Sequence, residues 1–486
     1  MCKNNALEGG AIMREFKTYV GGEWVLTDET IDVIDKYSGE VIAKVPKADK
    51  KLVDKAVDAA AEAFEEFKRM PAYKRSEILE KAADLIRERS DELAETICRE
   101  AGKAWKYSVG EVNRGFETFK FASEEAKRIH GETVPMDAST GGVGRIGYYI
   151  RVPMGVIAAI TPFNFPLNLV AHKVAPAIAS GNTIVLKPAS STPVTALILA
   201  EILEEAGLPK GVFNVVIGPG GEVGESLVTN DKVRKITFTG SAKVGHRLTQ
   251  IAGIKRITLE LGNNSATIIE KDADIDKAIP RCVDSAFANS GQVCISLQRI
   301  YVHKDIADEF TEKFAEATKK LKVGNPVDKD TDLGPMIDEN EAKRAEEWIK
   351  EAVDMGAELV VGGKREGRVL QPTVLRNTTK DMRVMCMEVF APIVSIVEYD
   401  TFEDAIQHVN DSDYGLQAGI YTNDIRKIHY AIDNLDVGGV MINDTSIFRV
   451  DHMPYGGNKM SGIGREGVRF AIEEMTNIKM VMINLN

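Results

Sequence analysis

The sequence predicts an α/β protein of two doubly wound parallel sheets that meet near Gly262, with a small β element added. Three observations predict it. From residue 155 onward, short β-branched runs alternate with Ala-rich stretches of helical pattern, the mark of βαβ units. The alternation restarts after residue 262. At 486 residues the chain exceeds one ordinary core, so two or three domains are expected.

The elements follow in order. Residues 48–127 read as helical, with Asp49 as N-cap and Leu52, Ala56, Ala60 and Phe64 recurring every fourth position. Pro71 breaks this pattern before a second amphipathic segment, Ser76 to Arg89. The first sheet reads as "GVIAAI" (155–160), "NTIVLK" (182–187), "VFNVVI" (212–217), "KITF" (235–238) and "RITL" (256–259). The second begins with "SATII" (265–269), a helix from about 275 and "RIYVH" (299–303), and continues to "GGVMIN" (438–443). Two more β-rich stretches, "GGVGRIGYYIRVPMG" (141–155) and "NIKMVMINLN" (477–486), lie far apart. A strand at the chain's end needs a partner, either in its own domain or in a second subunit.

Composition narrows the function. A net charge of −12 speaks against a nucleic-acid or anionic-membrane surface. No apolar run approaches the roughly 18 residues of a membrane helix, and the N-terminus lacks a secretory pattern. Met13 can serve as an alternative start, leaving residues 1–12 as a poorly ordered leader. Five scattered cysteines without a C-x-x-C pair exclude zinc ribbons and redox dithiols. They fit a reducing cytoplasm, and no metal is expected.

Several motifs then ask for chemistry. Cys294 lies in "ANSGQVCIS" (288–296); free cysteines are commonly inert and buried. No histidine accompanies it, since His303 is on the next strand and His172 and His246 are in helices of the other domain. A nucleophilic Cys294 would draw its activation from helix dipoles, backbone N–H groups or a carboxylate. "TPFNFP" (161–166) holds Asn164 between two prolines, where its amide braces a turn or donates to an oxyanion. Glu260 ends a sheet strand at the usual ligand crevice, as a solvated carboxylate or a general base. The G-x-G-x-x-G fingerprint is absent, because Gly218, Gly220, Gly221 and Gly224 have the wrong spacing. In "GSAKVGHR" (240–247), His246 replaces the P-loop lysine. Gly240, Ser241 and the helix N–H groups that follow could still hold a phosphate.

Together, "TPFNFP", "LKPASSTP", "FTGSAKVG", "TLELG", "GQVCIS", "EVFAPI" and "PYGGNKMSGIGREG" resemble the successive signatures of the aldehyde dehydrogenase superfamily. The resemblance runs from about residue 20 to the C-terminus. It looks nearest to archaeal-type lactaldehyde dehydrogenases through "INDTSIFRVDHMPYGG" (442–457) and "GREGVRFAIEEMTNIK" (464–479).

The resemblance implies a Rossmann-like cofactor domain (13–127 and 151–261) and a catalytic domain (262–469). It also implies an oligomerisation element (128–150 and 470–486) of a homodimer or homotetramer. Cys294 matches the nucleophile that forms a thiohemiacetal and then a thioester. Asn164 matches the oxyanion donor and Glu260 the base that activates water. Lys187 and Ser190 match the adenosine-ribose binders, Gly220 and Ser241 lie at the adenine and pyrophosphate, and Glu388 and Phe390 match the nicotinamide-ribose contacts. Thr161, Pro162, Phe163, Phe238, Gly240, Val244 and Leu261 complete the cofactor set.

Three departures from the family pattern stand out. Asn263 replaces the second glycine after Glu260, bringing a larger side chain beside the base. Ala391 replaces a glycine in "EVFAP". Ser190 stands where NAD-preferring members carry a glutamate that would repel a 2′-phosphate, so NADP is expected over NAD.

For substrate, Arg114 and Arg449 match positions facing the aldehyde's far end in members that take anionic three-carbon substrates; otherwise they sit in surface salt bridges. Enzymes of phosphorylated glyceraldehyde carry an Arg and a Tyr where this chain has Val293 and Phe165. A short hydroxyaldehyde, lactaldehyde or glycolaldehyde, therefore comes first. An anionic aldehyde follows: succinate semialdehyde, glyceraldehyde 3-phosphate, or a phosphono- or sulfo-aldehyde. A CoA-acylating enzyme would lack Glu260, and a non-catalytic scaffold would not keep Cys294, Glu260 and Asn164 together.

Overall fold

The structure, a computed structural model, describes residues 14–485; the expectation for residues 1–12 falls outside them. Helix α1 (Lys50–Phe67) starts at Asp49, whose carboxylate accepts from the Leu52 N–H. Leu52, Ala56 and Ala60 are buried along one face, and Phe64 is half-buried. Helix α2 (Ala72–Glu88) begins directly after Pro71, earlier than Ser76, because a proline is tolerated where the first-turn N–H groups have no helical acceptor. Helices α3 (Ser90–Ala101) and α4 (Trp105–Glu125) complete the helical region.

Strand β1 (Arg145–Pro153) leads into β2 (Val156–Ile160), α5 (Asn168–Ala179), β3 (Thr183–Lys187), α6 (Val194–Glu205) and β4 (Phe213–Val215). Then come β5 (Val233–Thr239), α7 (Ala242–Ile251) and β6 (Arg256–Glu260). Strands β2 and β3 are buried at every position, as continuous Val/Ile runs are when helices cover both faces. The sheet order is β4-β3-β2-β5-β6, parallel throughout. The chain moves outward from β2 to β3 and β4, then crosses to the other flank of β2 as β5. That reversal opens a crevice at the carboxyl ends of β2 and β5.

After Glu260 the chain passes into a second sheet of β7 (Ala266–Ile269), β8 (Arg299–His303), β9 (Glu358–Val361), β10 (Thr373–Arg376), β11 (Ile393–Tyr399), β12 (Gln417–Tyr421) and β13 (Gly439–Ile442). Helix α8 (Ile275–Phe287) connects β7 to β8. Its order is β9-β10-β11-β8-β7-β12-β13, with only β9 antiparallel.

One stretch departs from the expected 262–469 unit. Strand β14 (Gly462–Ile463) pairs antiparallel with β6, and the helix that follows, α9 (Val468–Glu474), places Val468 and Ile472 in the core shared with α4 and α5. The final strand, β15 (Thr476–Asn484), finds its partner in its own chain, pairing with β1 over its whole length. Among the described residues, no helix is long and apolar enough to cross a membrane.

The Asp49 cap is checkable. Asp49→Ala should cost about 1 kcal/mol, and Asp49→Ser much less. Hydrogen exchange of the α1 amides should show the loss in the first variant and near-normal protection in the second.

Candidate active site

The "TPFNFP" turn follows β2 and carries Asn164 into the seam between the sheets. Its Nδ2 donates to the Gln292 carbonyl at 3.0 Å, two residues before Cys294. The loop holding Cys294 begins with three consecutive left-handed residues, Asn289 (φ 50°), Ser290 (φ 55°) and Gly291 (φ 70°). Two of these are not glycine, so the turn stores strain of the sort kept at functional sites. Its neighbours hold it: Ser290 Oγ donates to the Gly334 carbonyl at 2.7 Å, and Gln292 Oε1 accepts from the Ile337 N–H at 2.9 Å. Gly291 leaves no room for a side chain, because a Cβ would strike the Ala391 carbonyl.

Cys294 is partly buried, and its Sγ lies 2.9 Å from Tyr455 Oη. A phenol is therefore its direct partner, where the sequence led us to expect only dipoles, N–H groups or a carboxylate. Burial pushes the thiol up to about 11, with Tyr455 and Arg449 pulling against it and Glu260 and Glu388 adding to it.

Glu260 ends β6 with both carboxyl oxygens buried and without a hydrogen-bond partner among the described residues. Burial first, and then the charge of Glu466, raise it well above the usual carboxylate range. Glu466 itself goes the other way. Burial would raise it, but Lys173 and Arg449 hold it ionised, with Lys173 Nζ at 2.7 Å and Arg449 Nη2 at 3.1 Å. Two neighbouring carboxyl groups are thus pushed apart in proton affinity. Gly456 gives Glu260 its space, since a Cβ there would come within 2.9 Å of Oε1. The departure at Asn263 proves benign in geometry. Its side chain bonds Ser265 Oγ, while its N–H donates to Glu388 Oε1 at 3.0 Å.

A cleft of about 850 Å³ runs between the sheets. From the first sheet's side, Pro162, Phe163, Asn164, Gly240, Ser241 and Leu261 line it. Cys294, Glu388 and Phe390 line it from the second. The rings of Phe163 and Phe390 meet edge-on across it at 5.9 Å. Ser241 caps α7, accepting from the Val244 N–H, so the positive end of that helix faces the cleft. Gly240 sits on Phe238, whose ring would be 2.5 Å from any Cβ.

The remaining expected cofactor residues lie behind or beside this lining. The Thr161 N–H donates to the Lys187 carbonyl at 3.2 Å. The Lys187 ammonium is buried and donates to the Pro188 carbonyl, with no carboxylate partner among the described residues, and burial lowers it to about 8. Ser190 Oγ donates to the Gly218 carbonyl at 2.8 Å. Gly220 and Val244 are exposed. A long cleft with a helix amino end, a glycine floor and a buried amine beside it fits a dinucleotide.

The aldehyde dehydrogenase family profile matches residues 24–481. The chain belongs to the aldehyde dehydrogenase family. It is 50% identical to a 3-sulfolactaldehyde dehydrogenase of Priestia aryabhattai, over 97% of this chain and 99% of the relative. It is 44% identical to a lactaldehyde dehydrogenase of Methanocaldococcus jannaschii, over 96% of this chain and all of that one. The crystal structure of the glyceraldehyde-3-phosphate dehydrogenase GapN from the same organism, complexed with NADP, superposes with a TM-score of 0.91 at 44% identity. That match covers 94% of this chain and 100% of the other. The resemblance read from the motifs is thus borne out, and the chain is an NAD(P)-dependent oxidoreductase of α/β class.

The two arginines expected at the substrate, Arg114 and Arg449, both have carboxylate partners. Neither is among the residues lining the cleft. Arg114 is held by Asp451, with Nη2 to Oδ1 at 2.8 Å, and the same carboxylate takes Asn168 Nδ2 and His172 Nε2. Arg449 is buried on Glu466. The Arg449 pair is buried on both sides, whereas Arg114 is half-buried over a buried Asp451. Phe165, by contrast, packs with Cys294 and Tyr455 in one apolar cluster.

Sequence reasoning missed Tyr455, Lys173 and Glu466, although "PYGG" and "GREG" contain two of them. It also missed Arg344, which lines the cleft with Nη1 unpartnered among the described residues. The signal available was slight, because each partner is distant in sequence. Asn263→Gly keeps the N–H on Glu388 and should leave kcat within about twofold. Folding stability should fall by about 1 kcal/mol, from the lost hydrogen bond and added backbone freedom. Steady-state kinetics and denaturant unfolding check both.

Proposed function

We propose that this enzyme oxidises a short 2-hydroxyaldehyde to its acid, through covalent attachment at Cys294. One observation carries the reading: Asn164 and Cys294 line the same dinucleotide-sized cleft, and the charge of the buried Glu260 is felt at the Cys294 sulfur. The aldehyde carbonyl lies against Cys294 and Asn164. The sulfur forms a bond to the carbonyl carbon, and the π pair moves onto oxygen. Asn164 Nδ2 and the Cys294 N–H stabilise that oxyanion, a contribution typically worth 10²–10³ in rate for one donor. A nicotinamide cofactor held in the cleft would supply the hydride acceptor, and loss of that hydride would leave the acyl group on Cys294 as a thioester. Glu260 then takes a proton from water as the water attacks, and the thiolate departs.

Lys187, Thr161 and Ser190 serve the adenosine half of the cofactor, with Gly220, Phe238 and Val244 around them. Gly240, Ser241 and the α7 terminus serve the pyrophosphate, and Pro162, Phe163, Leu261, Glu388 and Phe390 the nicotinamide half. NADP is preferred over NAD because Ser190 places a hydroxyl, and no carboxylate, where a 2′-phosphate would sit.

Lactaldehyde or glycolaldehyde comes first, since Arg114 and Arg449 already have carboxylate partners. A second reading keeps the hydroxyaldehyde and adds an anionic tail, supported by the 50% identity to the 3-sulfolactaldehyde dehydrogenase. The first sheet with α1–α4 forms the cofactor unit and the second sheet the catalytic unit. Strands β1 and β15 leave Ile146, Ile150, Ile478, Met480 and Met482 exposed; this apolar face supports a homo-oligomer joined there. The described cysteines are all free, in keeping with a reducing cytoplasm.

A panel of lactaldehyde, glycolaldehyde, sulfolactaldehyde and succinate semialdehyde should give the highest kcat/KM with the first two, and lower KM for NADP than for NAD. Preference for succinate semialdehyde would overturn the substrate reading, and a lower KM for NAD the Ser190 argument. Glu260 must also lose its proton to act as base. Hydrolysis-limited turnover should therefore climb as pH rises above the ordinary carboxylate range. In Glu260→Gln that rise should vanish and kcat should fall by about 10²-fold or more.

A further inference from the structure

We propose that Tyr455 donates its hydroxyl hydrogen bond to the Cys294 sulfur, favours the thiolate, and is itself braced by Arg449. The inference rests on Cys294 being the nucleophile and adds a positioning residue to it.

The geometry is specific. Tyr455 Oη and Cys294 Sγ are 2.9 Å apart, and the phenol is almost fully buried. The Arg449 guanidinium carbon lies 3.6 Å from the centre of the Tyr455 ring, a stacked cation–π contact. Arg449 is fixed in turn by Glu466. Tyr455 and Glu466 are also backbone partners: the Tyr455 N–H donates to the Glu466 carbonyl at 3.1 Å, and the Glu466 N–H returns at 2.6 Å. Ring, cation and carboxylate therefore hold one another, and the hydroxyl cannot swing from the sulfur without disturbing them.

The direction of the hydrogen bond follows from the surroundings. Burial, the charge on Cys294 and Glu260 all push the Tyr455 hydroxyl well above its usual range, with Arg449 opposing. The phenol stays protonated, so it donates whenever the sulfur is ionised. The charged groups felt at the sulfur are Arg449 from the loop after β13, Glu260 at the end of β6, and Glu388 ahead of β11. Two of the three oppose the thiolate. Tyr455 and Arg449 are what the fold sets against them.

Tyr455 is not the base, because its proton stays on the phenol oxygen throughout. As the sulfur pair forms the S–C bond, the carbonyl π pair moves to oxygen and the hydrogen bond loses its charged acceptor. The phenol therefore raises the thiolate population and lowers the reactivity of each thiolate. A hydrogen bond to a charged group moves a titration by about one unit or more. Nucleophilicity recovers about half of that change on the logarithmic scale.

The test is the pH profile of Cys294 alkylation by iodoacetamide, read on the Cys294 peptide by mass spectrometry so that exposed Cys386 does not interfere. In Tyr455→Phe, alkylation at pH 7 should be about threefold slower than in the unsubstituted enzyme. Above the thiol's titration it should become about threefold faster, so the two profiles cross. Unchanged profiles, or a uniform change at every pH as altered access would give, overturn the inference. Should the Phe variant fail to fold, 3-fluorotyrosine at 455, a stronger donor, should move the midpoint to lower pH; an unmoved midpoint counts equally against. If instead Cys294→Ser retains turnover, the catalytic reading itself fails, whatever the profiles do.

Discussion

The structure depends on the tie between Asn164 and the Gln292 carbonyl across the seam of two sheets. One end belongs to a turn after β2 in the first sheet, the other to a strained loop ahead of β8 in the second. That tie joins Ser290 on Gly334 and Gln292 on Ile337 in holding the left-handed run at 289–291. The same bond keeps the Asn164 amide and the Cys294 sulfur in register. A buried polar group that costs free energy to desolvate is repaid here by tying the two sheets together beside Cys294.

Electrostatics around the seam share a pattern: several cations there are matched to carboxylates other than Glu260. Lys173 and Arg449 share Glu466, Arg114 takes Asp451, and Lys103 takes Glu111. Removing one member of such a pair typically costs far more than the pair contributes. Among the described residues Glu260 is left without a hydrogen-bond partner, beside an ionised Glu466. Its high proton affinity is a consequence of where the counter-charges are spent, and the same allocation draws the arginines away from a substrate anion.

Much of this was legible in the sequence. The strands at 156–160, 183–187, 233–239 and 256–260 announce themselves as continuous β-branched runs, because parallel strands are buried on both faces. Cys294, Asn164 and Glu260 were legible through motif order. What was hidden depends on contacts across long separations. Nothing local tells that Tyr455 meets Cys294, 161 residues earlier, or that Arg114 is claimed by Asp451, 337 residues later. Strand β14 was invisible because two residues around glycine carry no periodicity, and its place on β6 is decided by tertiary packing.

The covalent role of Cys294 is the centre of the account, and it can be observed directly. Glu260→Gln enzyme mixed with lactaldehyde and NADP, then quenched in acid, should carry the acyl mass on the Cys294 peptide and on no other. Reduced cofactor should appear in a burst of about one equivalent per active site. A burst with no added mass on that peptide, or acylation at another residue, would contradict it.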